Sequence, residues 1–425
     1  MRKNSNGKKN GIKIMLEKLE DQEIKKQIRN NEGIKEFLEN TILFIVGLTS
    51  GWMVSRQLNP LGGFVFLLGW ATGKTWKNGL SLAAGYYIVI TELLPILIRR
   101  TTETGMAMAY IEAFVMALLL SIPWSLSSRS ILEKSVLMVM SGLILPMIPW
   151  LKNFGFCSPF YSAGYMFPGT GYIGFFLEIL LVFLIVTISI SGKRVVDLKI
   201  TGLIGLIVCS SVWMNTENRV MKAPRGWSAI NTKGVKWSMK NDQKVTFQNL
   251  SLAVRKAEKT DVVILPEISL GEFFKQKNEW LNMIGRILAR HGKVVIGNGY
   301  QMESKKKAVK VVMILGRKNG TEEVQANVPA PLVEWNPFGK ITVEMGSGEE
   351  FARVKGKKIL FSVCWEDVLI GNMLDHEWWV KPDIIISQES DWFTENSTAE
   401  KLQEMEIGLM SKLFALPLLR SVNGV

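Results

Sequence analysis

The sequence predicts a membrane α-helical bundle of about seven helices followed by a soluble α/β domain, and three observations carry that prediction. Long apolar runs follow one another closely between residues 41 and 214. From about residue 222 they give way to short β-branched runs separated by helical stretches. The whole chain is 48% hydrophobic with a mean hydropathy of +0.16, which is high for a soluble protein. Three segments result: a charged, amphipathic cytoplasmic N-terminus over 1–40, a transmembrane bundle over 41–214, and an α/β domain over 222–425 on the outer face.

The N-terminus begins MRKNSNGKKN and is not followed by an apolar core with a small-residue cleavage site, which argues against a signal peptide. Ile12, Met15, Leu19, Ile24 and Ile28 recur at near-helical spacing, as in an amphipathic helix on the cytoplasmic membrane face or a plain solvated one. The apolar runs fall at about 41–56, 60–73, 79–98, 106–124, 130–150, 172–191 and 197–214. Most approach the ~20 residues needed to cross a bilayer. The first two are short and meet at Asn59, Pro60, Gly62 and Gly63, so a tight or re-entrant hairpin is the alternative to two crossings. The basic N-terminus, Lys74 with Lys77, Arg129, and Lys193 with Arg194 share one side if seven helices cross; Arg99 and Arg100 dissent. Lysine and arginine collect on the cytoplasmic side, so an odd count places the α/β domain and the loop 151–171 outside. The expected location is the bacterial inner membrane, multi-pass, with the domain facing the periplasm or cell exterior. Glu92, Glu112 and Glu178 interrupt the spans and are expected to pair, lie near the interface or line a polar path.

Composition narrows the chemistry. The formal charge of +13 is spread over the N-terminus, short loops and the second half, rather than gathered as a nucleic-acid face, so no direct nucleic-acid partner is expected. The cysteines, Cys157, Cys209 and Cys364, show neither a disulfide framework nor zinc spacing. His291 and His376 are the two histidines, which disfavours histidine metal sites and a Ser-His-Asp triad. No metal and no cofactor are expected, and catalysis falls to carboxylates, lysine or cysteine.

In the second half DVVIL (261–265), KVVIG (293–297), VKVVMIL (309–315), KKILFSV (357–363) and PDIIIS (382–387) read as strands buried between layers. Helical stretches at 245–259 and 273–291 lie between them, so an α/β sandwich is expected. Ligands in such folds gather at the carboxyl ends of strands. DVVIL is followed there by Pro266 and Glu267, KKILFSV by Cys364, Trp365, Glu366 and Asp367, and PDIIIS by Gln388, Glu389, Ser390, Asp391 and Trp392. A carboxylate that takes a thiol proton leaves a thiolate able to attack a carbonyl carbon, which suits acyl transfer or amide cleavage. A buried structural cysteine and a turn glutamate are the plainer readings of each residue alone.

These segments resemble a known family. Leu265-Pro266-Glu267 is similar to the first motif of the nitrilase superfamily of carbon-nitrogen hydrolases, and Ser362-Val363-Cys364-Trp365-Glu366-Asp367 to its nucleophile motif. Ser387-Gln388-Glu389-Ser390-Asp391-Trp392-Phe393 resembles the stretch that closes the pocket, and Pro417-Leu418-Leu419-Arg420-Ser421-Val422-Asn423-Gly424 the late helix-to-strand segment. With a helix bundle ahead of it, the chain resembles the apolipoprotein N-acyltransferase branch. The resemblance implies an αββα sandwich, with Glu267 as general base, Cys364 as nucleophile and a lysine steadying the oxyanion. It also implies passage of an acyl group from a membrane phospholipid to the cysteine and then to the N-terminal amine of a lipoprotein, or another amine acceptor. Glu366, Trp365, Asp391 and Trp392 are candidate supporting residues. Glu366 shapes the nucleophile's surroundings or pairs with a lysine, and the aromatics wall an acyl pocket or belong to the core.

Three departures qualify the resemblance. The family's lysine precedes a Leu-Val-Pro-Phe-Gly-Glu segment, but no lysine lies between Lys318 and Lys340 here, so the motif lysine is not found. Lys340 stands where the family has glutamate and either reaches the pocket or is a solvated loop lysine. The resemblance also expects further strands and a final membrane helix beyond Val425, so the domain reads as lacking its C-terminal end. Finally, Val328-Pro329-Ala330-Pro331 and Glu334-Trp335-Asn336-Pro337 resemble the matching loop of conjugal transfer membrane proteins of the TraB type, which brings the conjugation machinery in as a possible partner. Three functions therefore stand side by side: acyl transfer through a cysteine thioester, a catalytically altered membrane protein of conjugal plasmid transfer, and a small-molecule amidase.

Overall fold

The computed structural model describes residues 31–102, 105–128, 130–191, 198–216, 221–233, 243–274, 279–304, 306–326, 328–335, 342–346, 351–390 and 398–424. The stripe from Ile12 to Ile28, Arg129, Lys193, Arg194, Lys340, Asp391 and Trp392 lie outside the described residues.

The first half is helical: α1 (Asn31–Ser55), α2 (Leu61–Thr72), α3 (Trp76–Thr91), α4 (Leu94–Thr102), α5 (Met106–Ser121), α6 (Ile131–Val139), α7 (Leu145–Met147), α8 (Ser162–Met166), α9 (Tyr172–Ser191) and α10 (Leu198–Thr216). The apolar runs form helices here, but not seven of full length. Among the described residues α1, α9 and α10 are long and apolar enough to cross a membrane, while α2 and α5 are shorter apolar helices. The other two runs break for local reasons. The run over 79–98 is interrupted after α3 at Glu92, whose carboxylate pairs with Arg56 at 2.9 Å. The run over 130–150 passes through a π turn at Met140–Ile144 and meets Pro146, which has no N–H to continue the ladder. Between α1 and α2 the chain turns at Leu58 with φ 52°, and Asn59 Oδ1 accepts the Leu61 N–H at 3.1 Å, giving the tight hairpin the Asn-Pro pair suggested. Small residues let the helices approach closely: a Cβ on Gly47 would lie 2.0 Å from the Leu82 carbonyl oxygen, and one on Gly85 2.3 Å from that of Phe44.

The second half carries strands β1 (Trp227–Ala229), β2 (Thr232–Lys233), β3 (Val262–Ile264), β4 (Glu272–Phe274), β5 (Val294–Met302), β6 (Lys307–Arg317), β7 (Gly320–Gln325), β8 (Thr342–Glu344), β9 (Phe351–Val354), β10 (Lys357–Val363), β11 (Ile384–Ser390) and β12 (Leu418–Gly424). Four helices accompany them: α11 (Gln243–Ala257), α12 (Glu279–Arg290), α13 (Ile370–Trp379) and α14 (Thr398–Phe414). The five apolar runs singled out in the sequence are β3, β5, β6, β10 and β11. One sheet runs β1-β3-β5-β6-β7, with β4 on β5 and β8 on β6; the other runs β2-β12-β11-β10-β9.

Alternation along the strands sets the layers, because successive side chains point to opposite faces. Ile264, Ile296, Val312 and Ile314 of the first sheet pack against Ile359, Phe361, Ile384 and Ile386 of the second. Val263, Val295, Val311 and Met313 turn the other way, under Leu250 and Ala253 of α11 and Leu281 and Leu288 of α12. Leu360 and Ile385 turn outward beneath α13 and α14 and join one core with the helical half. The result is an αββα sandwich whose second helix layer is also the floor of the bundle.

The joint lies beside the strand ends that matter. The turn over Pro149–Gly155 and the segment after it run along the chain that follows β10: Cys157 N donates to Val368 O at 2.9 Å, and Tyr161 Oη donates to Asp367 O at 3.3 Å. Buried Lys152 reaches Asn372 Oδ1 and Asp375 Oδ2, each at 3.3 Å.

Candidate active site

Strand β3 ends at Ile264, and the chain continues through Leu265 and Pro266 to Glu267, followed by Ile268 at φ 58°. That left-handed residue is held by Asn298, whose Oδ1 accepts the Ile268 N–H at 2.5 Å. Across the sandwich β10 ends at Val363, and Cys364 opens a 3₁₀ turn (Cys364–Val368) at φ 53°. A non-glycine residue in this region is strained, and such strain gathers at functional sites when the surroundings impose it. Here Glu366 imposes it: Oε2 accepts the Val363 N–H at 2.9 Å, and Oε1 accepts the Val328 N–H at 3.0 Å. Glu366 thus ties the cysteine turn to the loop that follows β7.

The Cys364 thiol and the Glu267 carboxyl are hydrogen-bonded. The lysine that the loop pattern did not supply comes from a strand. Lys310 of β6 places Nζ 2.8 Å from Glu267 Oε1 and 2.5 Å from Glu334 Oε1, with Glu267 and Lys310 both buried. Lys310 shares its face of β6 with Val312 and Ile314, which point between the sheets, so its side chain enters the sandwich core at the open ends of β3 and β10. Its antiparallel partner on β5 is Tyr300. The Tyr300 hydroxyl donates to Glu334 Oε1 at 2.5 Å, and the Ala330 N–H donates to Glu334 Oε2 at 2.8 Å, fixing the second carboxylate.

Electrostatics follow from burial and neighbours. Burial pushes the Glu267 carboxyl above its ordinary value, while Lys310 pulls against that rise. Burial favours a neutral Lys310, but attraction to Glu267 and Glu334 outweighs it and holds the ammonium well above the ordinary lysine value. The lysine is therefore a fixed cation rather than a proton carrier. Gln403 of α14 completes the near surroundings, its amide donating to the Cys364 carbonyl at 3.1 Å.

Behind the site lies a second buried chain of polar groups. Ser387 Oγ stands 2.8 Å from both Asp367 Oδ2 and Glu389 Oε1. One hydroxyl hydrogen cannot serve two carboxylates, so one of these groups carries a proton. Arg420 donates to both Glu389 oxygens, at 2.5 and 2.6 Å, which leaves the proton to Asp367, and burial pushes Asp367 well above its ordinary value. Glu389 also fixes the position of Glu267, whose N–H donates to the Glu389 carbonyl at 3.3 Å.

Of the residues singled out in the sequence, Glu267, Cys364 and Glu366 come together. Trp365 turns the other way: its ring stacks on Phe156 at 4.6 Å and its indole N–H donates to Asn153 Oδ1 at 2.9 Å, so it belongs to the joint with the helices. Lys340, Asp391 and Trp392 lie outside the described residues. The motif lysine not found in the loop has a counterpart on β6, where Lys310 stands beside Glu267. Sequence reasoning sought that lysine beside the Pro-Phe-Gly segment, but it lies one strand earlier; the signal available was a lysine inside VKVVMIL, a strand apolar on both faces. Tyr300, Glu334 and Gln403 were also missed.

A half-buried thiol with a buried carboxylate and lysine at the strand ends of a two-sheet α/β sandwich, attached to apolar helices, makes a candidate site for cysteine-dependent attack on a carbonyl. No family model matches the chain. Over 412 residues it is 23% identical to a probable conjugal transfer protein TraB of Sinorhizobium fredii, covering 90% of this chain and 97% of that one. It is 21% identical over 404 residues to a conjugal transfer protein TraB of Agrobacterium fabrum, covering 88% and 89%. Among solved structures, an amidase from Nesterenkonia sp. covers 48% of this chain and 78% of its own at 10% identity, with a TM-score of 0.37. A carbon-nitrogen hydrolase from Helicobacter pylori covers 46% and 72% at 14% identity, with a TM-score of 0.32.

Proposed function

We propose that this chain is a membrane-bound nitrilase-type enzyme that moves an acyl group through a thioester on Cys364 and acts in conjugal plasmid transfer. The observation that carries the reading is the buried Glu267–Lys310 pair at 2.8 Å, with the Cys364 thiol hydrogen-bonded to the same carboxyl. In the first step Glu267 takes the Cys364 proton, the sulfur attacks the substrate carbonyl, and the oxyanion forms beside the Lys310 ammonium. Glu267 returns its proton to the departing oxygen or nitrogen as the carbonyl reforms, leaving the thioester. An amine then attacks, passes a proton through Glu267 and releases Cys364. A fixed cation is worth most where charge develops in a water-poor site. Glu334 holds that cation in place and Glu366 holds the nucleophile turn.

The acyl donor in this reading is a membrane phospholipid and the acceptor an amine, as on a lipoprotein, both delivered laterally to a domain on the outer face of the bacterial inner membrane. The apolar helices and the core they share with α13 and α14 support a lipid-borne substrate. The similarity to two TraB conjugal transfer proteins over most of each chain supports the conjugal setting and a partner in that machinery. The test is to incubate the purified full-length protein with a phospholipid labelled in its acyl chains. The expected result is a hydroxylamine-sensitive label on Cys364 that is lost in Cys364→Ala, together with loss of plasmid transfer in cells carrying Cys364→Ala. Full plasmid transfer by Cys364→Ala would instead support a non-catalytic assembly role, and release of free acid in place of an amide would support hydrolysis.

A further inference from the structure

We propose that the aromatic end of α13, Trp378 and Trp379, is a membrane-contact surface that seats the α/β domain in the headgroup layer of the bilayer crossed by α9. The proposal rests on the reading of α9 as a membrane helix.

A helix of 20 residues is about 30 Å long, the thickness of a bilayer's hydrocarbon core, so the first residue of α9 stands at an interface. That residue is Tyr172. The last turn of α10 comes to the same end of the bundle, where Asn215 Nδ2 donates to Tyr165 O at 2.9 Å. The Gly171 N–H donates to Leu413 O at 2.7 Å, which fixes the end of α14 at this height. Helix α13 is tied there too: Tyr172 Oη donates to Leu374 O at 2.7 Å, and the Tyr172 ring meets Trp378 edge-on at 5.6 Å.

Trp378 is 57% exposed and Trp379 76% exposed, on the last turn of a helix whose other apolar residues are buried. Asn372 and Asp375 both meet Lys152, so the helical stripe that continues through Trp379 faces the side of the Pro149–Gly155 turn. That turn carries Trp150, 78% exposed, and α10 carries Trp213 in its last turn, 66% exposed. Exposed indoles on α13 and at the end of α10 thus belong to the end of the bundle where α9 begins, Trp150 lies in the turn packed on α13, and exposed Lys381 follows the α13 pair. Tryptophan concentrates in the headgroup layer because its ring is apolar while its N–H stays hydrated, and a neighbouring lysine suits lipid phosphate. The same Pro149–Gly155 turn supplies Asn153 to Trp365, so the lipid seat is one step from the nucleophile turn.

The test uses full-length protein in phosphatidylcholine–phosphatidylglycerol nanodiscs, on a Cys209→Ala, Cys364→Ala background with buried Cys157 left in place. A nitroxide is attached in turn to Trp379→Cys, Trp378→Cys, Leu180→Cys in the middle of α9, and Met283→Cys on α12. Its relaxation by oxygen, which partitions into lipid, is compared with that by a water-soluble nickel chelate. The expected order is Leu180 deep, Trp378 and Trp379 shallow but lipid-exposed, and Met283 in water. A deep Leu180 with a water-like signal at both tryptophan positions overturns the proposal. A water-like Leu180 overturns it together with the membrane reading of α9, while leaving the acyl-transfer chemistry of Cys364 to its own assay.

Discussion

Two cysteine–glutamate pairs stand out among the described residues, one half-buried and one fully buried, and the contrast between them shows what makes such a pair reactive. Cys364 is hydrogen-bonded to Glu267, sits half-buried on a strained turn and has the Lys310 ammonium at its carboxylate. Cys157 is hydrogen-bonded to Glu406 at the joint between the bundle and α14 and is fully buried, and it too is left-handed, at φ 44°, so backbone strain does not separate the two. Glu406 Oε2 has no partner, and no ion pair reaches this carboxyl among the described residues. Without a cation, burial pushes both the Cys157 thiol and the Glu406 carboxyl well above their ordinary values, so both stay protonated. A thiol beside a carboxyl is therefore not enough. The added cation and an open face separate a candidate nucleophile from an inert core residue.

Four experiments probe this contrast, in order of decreasing effect. Cys364→Ala is expected to abolish covalent labelling by an acyl ester, whereas Cys157→Ser leaves it intact; peptide mapping of the labelled protein reads both. Lys310→Met is expected to slow acylation by about 100- to 1000-fold, the usual cost of losing one oxyanion donor. The same change leaves Glu267 and Glu334 buried without their cation and costs about 3–5 kcal/mol of stability. Adding Glu334→Gln to Lys310→Met is expected to recover part of the unfolding midpoint and none of the rate, separating the electrostatic role from the structural one.

The third concerns pH. Glu267 must be ionised to take the thiol proton, and burial raises its value, so the acylation rate is expected to climb with pH through a midpoint above the ordinary 4.5. Glu267→Gln removes that limb and leaves a slow, flatter profile in stopped-flow acylation. The smallest effect is at the other pair. The folded-state value of Glu406 is raised, so stability is fully present below the ordinary 4.5 and is lost as pH rises toward the folded value. Glu406→Gln is expected to make the thermal midpoint less dependent on pH above 4.5 without changing the acylation rate.

How much of this was legible in the sequence depended on whether a residue's role is local. The strands were legible because DVVIL, KVVIG, VKVVMIL, KKILFSV and PDIIIS are apolar on both faces, and Glu267 and Cys364 because they follow two of those strands directly. The number of full-length membrane helices was not, because hydropathy does not register a break at a paired Glu92 or a π turn before Pro146. Lys310 escaped because a loop position was searched, whereas the side chain enters from β6, and only the register of β6 against β5 and the packing of two sheets put it beside Glu267. Of the two readings of Trp365, pocket wall or core, only the structure could choose, because the bundle turn that covers it lies over two hundred residues away; its hydrogen bond to Asn153 spans 212 positions.

Whether Lys310 completes the Cys364 site is read from the burst of p-nitrophenolate released from a p-nitrophenyl ester by full-length protein in detergent. The wild-type chain is expected to give a burst of about one equivalent per chain that is absent in Cys364→Ala and about 100- to 1000-fold slower in Lys310→Met. A folded Lys310→Met protein that bursts at the wild-type rate would contradict the account.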